Sequence, residues 1–323
     1  MNLSRDVIVG LEAETGFRAA TLEKVLRLGE VAAGITEHPF LGSRLVLKGG
    51  TAIQLALGSP LRLSVGLDFN YVGELNREAM LRERPEVETA VDRVVRALRY
   101  DVAHSADEHA GRKFYLGYRS YAGTPDRIEL DLNYQMRQPI ADSVERELWQ
   151  PGSAPRSIVR CVGDEELWAG KIAALLDRTM PRDLFDVAHL AERSPELVGA
   201  ERFRKIVVAW CGILPHPLHS YGLNRVDRVD DAAIAEQLVP MLAGDSRPTR
   251  LELAQRCREV LEPLLELTEP EIEYCDRLQR GELRPELVFG DGEPLAELIK
   301  AHPALAWKAL NARRHSSRQE GTT

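Results

Sequence analysis

The sequence has few cysteines, no excess of basic residues and no long hydrophobic run. The four cysteines are Cys161, Cys211, Cys257 and Cys275. They lie far apart and form no Cys-x-x-Cys pair, which argues against a zinc ribbon or a disulfide scaffold and indicates reduced thiols. No stretch approaches the ~20 apolar residues of a membrane span, and the first residues lack the pattern of a signal peptide. We therefore expect a cytoplasmic protein with no membrane partner.

Acidic residues outnumber basic ones in this chain. Lys and Arg total 42 against 50 Asp and Glu, which gives a formal net charge of -8. A global positive field of the kind that attracts nucleic acid is therefore absent, and any contact with RNA or DNA must be local. The 323 residues, 44% of them hydrophobic, suffice for one large domain or two of ordinary size.

The pattern of apolar residues changes near residue 162. Strand and helix patterns alternate before this point, whereas helical patterns separated by Pro and Gly breaks predominate after it. We predict an α+β fold with a mixed α/β domain over residues 1–162 and a helical domain over residues 163–323. The charged and polar end of the chain, from about residue 314, is predicted to be disordered.

A glycine pair follows the first apolar run of the α/β half. Leu45-Val46-Leu47 ends in Lys48-Gly49-Gly50-Thr51, and a helix-prone segment comes next, which predicts a strand, a glycine turn and a helix. Such a turn lets the backbone approach phosphate oxygens closely. By itself it is equally consistent with a simple tight turn, and the spacing of a Walker loop is absent.

Two aspartates are predicted on strands of the same half. Period-two alternation over residues 62–69 puts Ser64, Gly66 and Asp68 on one face. Alternation in residues 113–118 and 127–134 predicts a β-hairpin with Asp131 on its polar face. If the strands are adjacent, Asp68 and Asp131 converge and need a cation such as Mg²⁺ to neutralise them. The alternative is two solvent-facing aspartates on unrelated strands.

Five motifs in this chain resemble those of the AbiEii/MenT nucleotidyltransferase toxins. They are Lys48-Gly49-Gly50-Thr51-Ala52, Arg62-x-Ser64-x-Gly66-Leu67-Asp68-Phe69, Glu129-Leu130-Asp131-Leu132, Lys171, and Arg182-Asp183-Leu184-Phe185-Asp186. They occur in the family's order and span residues 48–186. The resemblance implies a DNA polymerase β-like nucleotidyltransferase fold, a mixed sheet with helices followed by a mostly helical half. It also implies a toxin–antitoxin pair.

The resemblance further implies roles for individual residues. The nucleotide-binding set would be Lys48, Gly49, Gly50, Thr51, Ser64 and Arg182. Asp68 and Asp131 would ligate Mg²⁺ in a two-metal scheme, with an NTP as substrate. Lys171 would be a cation near the triphosphate, and Asp186 would position its amine or the incoming nucleotide. With Asp68, these two residues of the helical half would form the catalytic set.

Simpler interpretations of the helical-half residues remain open at this point. Lys171 lies among apolar residues of a predicted helix, so its aliphatic stem could cover an apolar seam while its ammonium stays in solvent. Asp183 falls in the first turn after Pro181, where an acid could do no more than stabilise the helix dipole. Asp186 lies further into that helix and is the better candidate for a functional acid.

One position departs from the family pattern. The family has Asp-x-Asp on the catalytic strand, and here the first of the two is Gly66, which leaves only Asp68. Carboxylates two apart on a strand point the same way, so this glycine removes one metal ligand. The change could be natural with a weaker site, natural with loss of activity, or an inactivating substitution introduced to produce a toxic protein. We favour a parent enzyme with an acid at this position.

The resulting functional expectation is a Mg²⁺-dependent nucleotidyltransferase toxin that transfers NMP from an NTP to the 3′ end of tRNA. Because the acceptor end is then blocked, aminoacylation and translation would stop, and a cognate antitoxin would oppose this. One alternative is an inactive member that only binds nucleotide or RNA. Another is a nucleotidyltransferase that acts on a small-molecule or protein hydroxyl, which the net charge of -8 fits slightly better.

Overall fold

The computed structural model describes residues 3–106, 110–244 and 246–320, with the side chains of 315–320 left undescribed. The chain divides into two compact units. Unit 1 comprises residues up to Gly163 together with Glu236–Arg247, and unit 2 comprises Asp164–Ala235 and the chain from Pro248 onward. The sequence-based division near residue 162 assigned Glu236–Arg247 to the helical half, whereas this segment belongs to unit 1. That division into domains stays a prediction.

Unit 1 combines helices with a β-sheet. Its helices are α1 (Arg5–Thr15), α2 (Ala19–Glu37), α3 (Gly49–Leu55) and α4 (Arg77–Ala97). Its strands are β1 (Leu45–Lys48), β2 (Gly66–Tyr71), β3 (Asp101–His104), β4 (Gly111–Arg119), β5 (Pro125–Asn133), β6 (Val144–Glu147) and β7 (Ile158–Cys161). The predicted α+β class is confirmed. The predicted strand and helix are confirmed as β1 and α3, but Gly49 and Gly50, called the glycine turn below, are the first two residues of α3 and not a separate turn.

The seven strands of the described residues form one mixed sheet in the order β3-β4-β5-β2-β1-β7-β6. Strand β2 pairs with β5 in parallel and with β1 antiparallel. The predicted hairpin is confirmed as the antiparallel pair of β4 and β5. This order makes β2 and β5 direct neighbours, although a helix and two strands separate them along the chain.

Side-chain alternation separates the two faces of this sheet. Leu130 and Leu132 of β5 are buried, whereas Glu129 and Asp131 between them are partly exposed. On β2, Leu67 and Phe69 are buried in the same way while Asp68 is half-buried. Because successive residues of a strand point to opposite faces, the acidic residues of both strands share the face opposite these apolar side chains.

Unit 2 is helical, and none of its described residues forms a strand. The helices from residue 164 onward are α5 (Asp164–Arg178), α6 (Pro181–Ala188), α7 (Leu190–Arg193), α8 (Glu201–Trp210), α9 (Asp231–Gln237), α10 (Arg250–Leu265), α11 (Glu269–Gln279), α12 (Glu286–Phe289), α13 (Pro294–Ala301) and α14 (Pro303–Glu320). In the described residues, no helix is both long and apolar enough to cross a membrane.

The end of the chain holds the last helix, α14, and the disorder predicted from about residue 314 stays a prediction. Helix α14 continues to Glu320, and residues 321–323 lie outside the described residues. Two features favour this helix. Pro303 occupies its first position, where the fixed φ of proline suits a helix start. Arg313 donates a hydrogen bond to the carbonyl oxygen of Gly281, which holds a late turn of α14 against the end of α11.

Candidate functional site

Four charged side chains form a row across four adjacent strands of unit 1. The pairing register places Lys48 of β1 opposite Asp68 of β2, and Asp68 opposite Asp131 of β5. On the other side of Asp131, the register places Lys113 of β4. Adjacent strands lie about 4.8 Å apart, so the two carboxylates are neighbours between two lysines. The expected convergence of Asp68 and Asp131 is confirmed.

The carboxylate of Asp68 packs against the glycine turn. Gly49 has a φ of +73°, in the left-handed region, and a Cβ placed on it would lie 2.5 Å from Asp68 Oδ2. Glycine is therefore required at this position both for the backbone conformation and for the close approach of the carboxylate. The turn and the acidic pair form one site.

We expect Gly49→Ala to impair this site more than it impairs folding. The left-handed conformation costs an alanine about 1–2 kcal/mol. The added Cβ also displaces the Asp68 carboxylate, and a shift of about 1 Å at reacting groups reduces rates by roughly 10²-fold. Nucleotide transfer and urea unfolding measure the two effects separately.

A matched control for this variant lies in the turn between β4 and β5. Gly123 has a φ of +80°, and a Cβ there has nothing within 4 Å. Gly123→Ala therefore carries a similar backbone cost without touching the site. If Gly49→Ala and Gly123→Ala reduce both activity and stability by equal amounts, the contact between Gly49 and Asp68 does not matter for transfer.

Three buried side chains surround the glycine turn. The Thr51 hydroxyl donates to the carbonyl oxygen of Gly66 and lies 3.0 Å from Ser64 Oγ. A Cβ on Gly50 would lie 3.1 Å from Ser64 Oγ and 3.0 Å from Arg62 Nη2. Strand β2 begins at Gly66, so the predicted place of Ser64 on the strand face is wrong. The two hydroxyls hold α3 to the start of β2, and their binding of phosphate stays a prediction.

Lys113 is a member of the acidic site that the sequence analysis did not include. Its Nζ lies 3.4 Å from Asp131 Oδ2 and 3.3 Å from Glu129 Oε2. Burial raises the pKa of Asp131 and the charge of Asp68 adds to the rise, so this pKa stays above its usual value despite Lys113. Burial acts to lower the pKa of Lys113, but Asp131 and Glu129 outweigh it and raise this pKa. The site therefore stabilises a cation.

Position 66 has room for a side chain. A Cβ on Gly66 would meet only the carbonyl oxygen of Glu129 within 4 Å, at an ordinary contact distance of 3.8 Å. A glycine inside a strand often marks a close backbone approach, and this one does not. In the described parts of the chain, no group of three or more His, Cys, Asp or Glu side chains is placed to hold a metal ion. The face carries two adjacent carboxylates, Asp68 and Asp131, where an aspartate at 66 would add a third.

Unit 2 contains a separate buried charge cluster. Lys171 on α5 has its Nζ 2.9 Å from Asp183 Oδ1 and 2.8 Å from Asp186 Oδ2, both on α6. Arg178 also donates to Asp183, at 2.7 Å. Because the lysine and both aspartates are buried, the interpretation of Lys171 as a lysine with its ammonium in solvent is wrong. Asp183 does lie in the first turn of α6, as predicted, but it does more than stabilise the helix dipole, since it is also a direct partner of Lys171.

This cluster makes the stability of unit 2 depend on pH. Burial raises the pKa of Asp183, but the charges of Lys171 and Arg178 outweigh burial and hold this pKa below its usual value. A carboxyl with a lowered pKa stabilises the fold above its unfolded pKa of about 3.9, and this contribution is lost as the pH falls through the folded value.

We therefore expect Asp183→Asn to lower the free energy of unfolding at neutral pH and to weaken its fall below about pH 4. Urea unfolding monitored at several pH values measures both effects. Asp291→Asn is the matched control, because Asp291 is an exposed residue in the same unit. Equal pH dependence of the parent chain and Asp183→Asn would contradict the assignment.

The predicted site residues thus fall into two groups, one in each unit. Unit 1 brings together Lys48, Gly49, Gly50, Thr51, Ser64, Asp68 and Asp131. Unit 2 brings Lys171 together with Asp186, and Arg182 lies half-buried on the same helix as Asp186. The actions of Lys171, Asp186 and Arg182 on a nucleotide stay predictions.

Comparisons with known proteins identify a family and a similar fold. The sequence matches the family model described as "Nucleotidyl transferase AbiEii toxin, Type IV TA system" over residues 33–265. The structure is similar to that of MenT4, the nucleotidyltransferase toxin Rv2826c from Mycobacterium tuberculosis H37Rv, with 19% identity and a TM-score of 0.65. The alignment covers 90% of this chain and 99% of the MenT4 chain. No curated protein matches the sequence.

The two matches establish different things. At 19% identity the likeness to MenT4 shows the fold alone, and it confirms the predicted polymerase β-like nucleotidyltransferase fold. The family match runs from α2 to α10 and includes every strand of the sheet and the α5–α6 charge cluster. It implies an NTP substrate and a cognate antitoxin. This chain belongs to the AbiEii family of nucleotidyltransferase toxins, which act in toxin–antitoxin systems.

Proposed function

We propose that this toxin transfers NMP from an NTP to the 3′ end of tRNA in a Mg²⁺-dependent reaction, and so blocks aminoacylation and translation in the cytoplasm. The observation that carries the proposal is the pairing of Asp68 with Asp131 in register on β2 and β5, against the glycine turn. In the reaction, the 3′-hydroxyl oxygen bonds to the α-phosphorus, the bond to the leaving pyrophosphate breaks, and the hydroxyl proton is released.

The side chains of this site fit a divalent cation. Asp68 and Asp131 offer adjacent carboxylate oxygens, the donors that Mg²⁺ prefers. The raised pKa of Asp131 reflects burial and the repulsion of Asp68, which a bound cation relieves. The Lys113 ammonium, between Asp131 and Glu129, is a protein cation already attracted to this face. When bound, Mg²⁺ would supply charge neutralisation at the reacting phosphate.

The nucleotide phosphates would lie at the glycine turn. Gly49 and Gly50 present backbone without side chains beside the Asp68 carboxylate, and Lys48 precedes them at the end of β1. In this proposal the Thr51 and Ser64 hydroxyls hold the turn in place and reach phosphate only at its edge. The lysines of the row would attract the phosphates, and neutralisation of Asp68 and Asp131 by a bound cation would remove the repulsion between these carboxylates and the α-phosphate.

The acceptor is the part of the proposal that depends most on the family. Its toxins act in toxin–antitoxin systems, and a modified tRNA 3′ end stops translation directly. The net charge of -8 favours a second candidate, in which the acceptor is a small-molecule or protein hydroxyl. The two candidates share the same transfer chemistry and differ only in the attacking hydroxyl.

The test is an incubation of the chain and its Gly66→Asp variant with total tRNA, Mg²⁺ and each α-labelled NTP. Because position 66 has room for an aspartate, we expect stronger labelling by the variant. Periodate-oxidised tRNA, which lacks the terminal diol, is the control and should remain unlabelled. If neither the chain nor its Gly66→Asp variant labels intact tRNA, the tRNA proposal is removed. Label on protein or on small molecules supports the second candidate.

A further inference from the structure

Asn70 is a buried polar residue whose amide oxygen has no hydrogen-bond partner in the described part of the chain. Its side chain is 2% exposed, and Oδ1 accepts no hydrogen bond from the described residues. Buried polar atoms are nearly always paired, and each exception needs a physical explanation. An unpaired buried acceptor lowers stability, since it has lost its bonds to water without replacement.

The position of Asn70 connects it with the acidic pair. It follows Asp68 by two residues on β2, so the two side chains lie on the same face of the sheet. In the register, Asn70 lies opposite Val46 on one side and Asn133 on the other. Val46 offers no side-chain polar group, and the Asn133 amide nitrogen makes no hydrogen bond to Asn70 Oδ1, while its own Oδ1 accepts from two backbone N–H groups. The unpaired amide therefore shares a face of the sheet with Asp68 and Asp131, and neither cross-strand neighbour donates to its oxygen.

Asparagine oxygen has the chemistry of a ligand for a hard cation. Mg²⁺ and Ca²⁺ bind carboxylate and amide oxygens together, and a neutral ligand adds no further repulsion to two carboxylates. Asn70 lies on the side of Asp68 away from Gly66, the position where the family's other aspartate is missing. An oxygen on this side can compensate for the carboxylate lost on the other.

We propose that Asn70 Oδ1 is a third ligand of the divalent cation at Asp68 and Asp131 and takes the place of the carboxylate missing at Gly66. The inference rests on the cation site of the proposed function. It explains why an unpaired polar atom is kept in a buried position. On this proposal, Asn70 is kept although it lowers the stability of the fold, because its oxygen is needed to bind the cation.

The experiment measures Mn²⁺ binding to the full chain by isothermal titration calorimetry, without nucleotide, together with urea unfolding. Asn70→Leu should weaken Mn²⁺ binding by at least about tenfold. The same variant should raise the urea midpoint, because it replaces an unpaired buried acceptor by an apolar side chain with the same branching and the same number of heavy atoms. If Asn70 had only a structural role, the same variant would lower the urea midpoint. Asn70→Asp should retain or strengthen binding, and Gly66→Asp should restore it in the Asn70→Leu background.

Two further variants separate the possible failures. Asp131→Asn should weaken Mn²⁺ binding; if it does not, the cation site of the proposed function is absent. If Asp131→Asn weakens binding and Asn70→Leu does not, only the inference about Asn70 is overturned. Glu129 lies opposite Gly66 and is paired with Lys113. A loss of binding confined to Glu129→Gln would make Glu129 the third ligand and would also overturn the inference.

Discussion

Asp68→Asn is expected to reduce nucleotide transfer by on the order of 10³-fold, the effect of losing several kcal/mol of transition-state stabilisation. Asp68 is one of the two inner members of the charged row, with Lys48 on one side and Asp131 on the other. Its carboxylate also lies against the glycine turn. The substitution keeps the size of the side chain, so we expect little change in urea unfolding. Label transfer from an α-labelled NTP measures the rate.

A matched control for this prediction lies on the same sheet. Asp101 on the edge strand β3 is exposed and outside the row, so Asp101→Asn makes the same chemical change away from the site. We expect it to retain the parent rate. The two variants should also be compared in the Gly66→Asp background, where the signal is expected to be stronger. An Asp68→Asn variant as active as Asp101→Asn would contradict the assignment of the site.

Lys171→Met is expected to reduce the stability of unit 2 by about 3–5 kcal/mol, the usual cost of removing one partner from a buried ion cluster. The substitution removes the cation between Asp183 and Asp186. Asp183 keeps Arg178 as a partner, whereas Asp186 loses the cation at 2.8 Å. Urea unfolding monitored by tryptophan fluorescence measures the loss, because Trp168 and Trp210 are buried in unit 2.

The control for Lys171→Met is Lys300→Met in the same unit. Lys300 is exposed on α13, and such surface changes usually stay within about 0.5 kcal/mol. Addition of Asp186→Asn to Lys171→Met should recover part of the loss, because a neutral amide costs less to bury than a charged carboxylate that has lost the Lys171 cation. Equal stability of the two methionine variants would show that the buried cluster makes no net contribution.

Much of the unit 1 site follows from local sequence patterns. Period-two alternation is enough to place Asp68 and Asp131 on polar strand faces, and the glycine pair is enough to place a turn after β1. Their adjacency is a matter of sheet order, because β2 and β5 are separated by α4 and two strands. No local pattern determines which strands pair. The sequence therefore predicts that Asp68 and Asp131 converge only if their two strands are adjacent.

The residues that the sequence analysis misjudged are those whose partners are distant in the chain. Alternation already places Lys113 on the polar face of β4, but its bond to Asp131 depends on the register of the hairpin. Asp183 and Asp186 are three residues apart and so near one helical face, yet their common partner Lys171 lies on another helix. The orphan oxygen of Asn70 depends on burial, which no spacing reports.

The unit 1 site combines negative charge with adjacent cations. Asp68 and Asp131 lie between two lysines, and Lys113 also binds Glu129. In the family pattern an aspartate at position 66 would add another carboxylate, and the structure leaves space for it. Glycine at position 66 therefore lowers the negative charge of the site, whereas the surrounding backbone has room for either residue. A substitution at this position can for this reason change the activity without disturbing the fold.

The measurement that tests the central claim most directly compares α-labelled and γ-labelled forms of one NTP in the tRNA assay with Gly66→Asp. Nucleotidyl transfer predicts that the α label joins the tRNA and that the γ label is released as pyrophosphate. Asp131→Asn in the same background should abolish both signals. Transfer of the γ label to tRNA, or full α-labelling by the Asp131→Asn variant, would contradict the account.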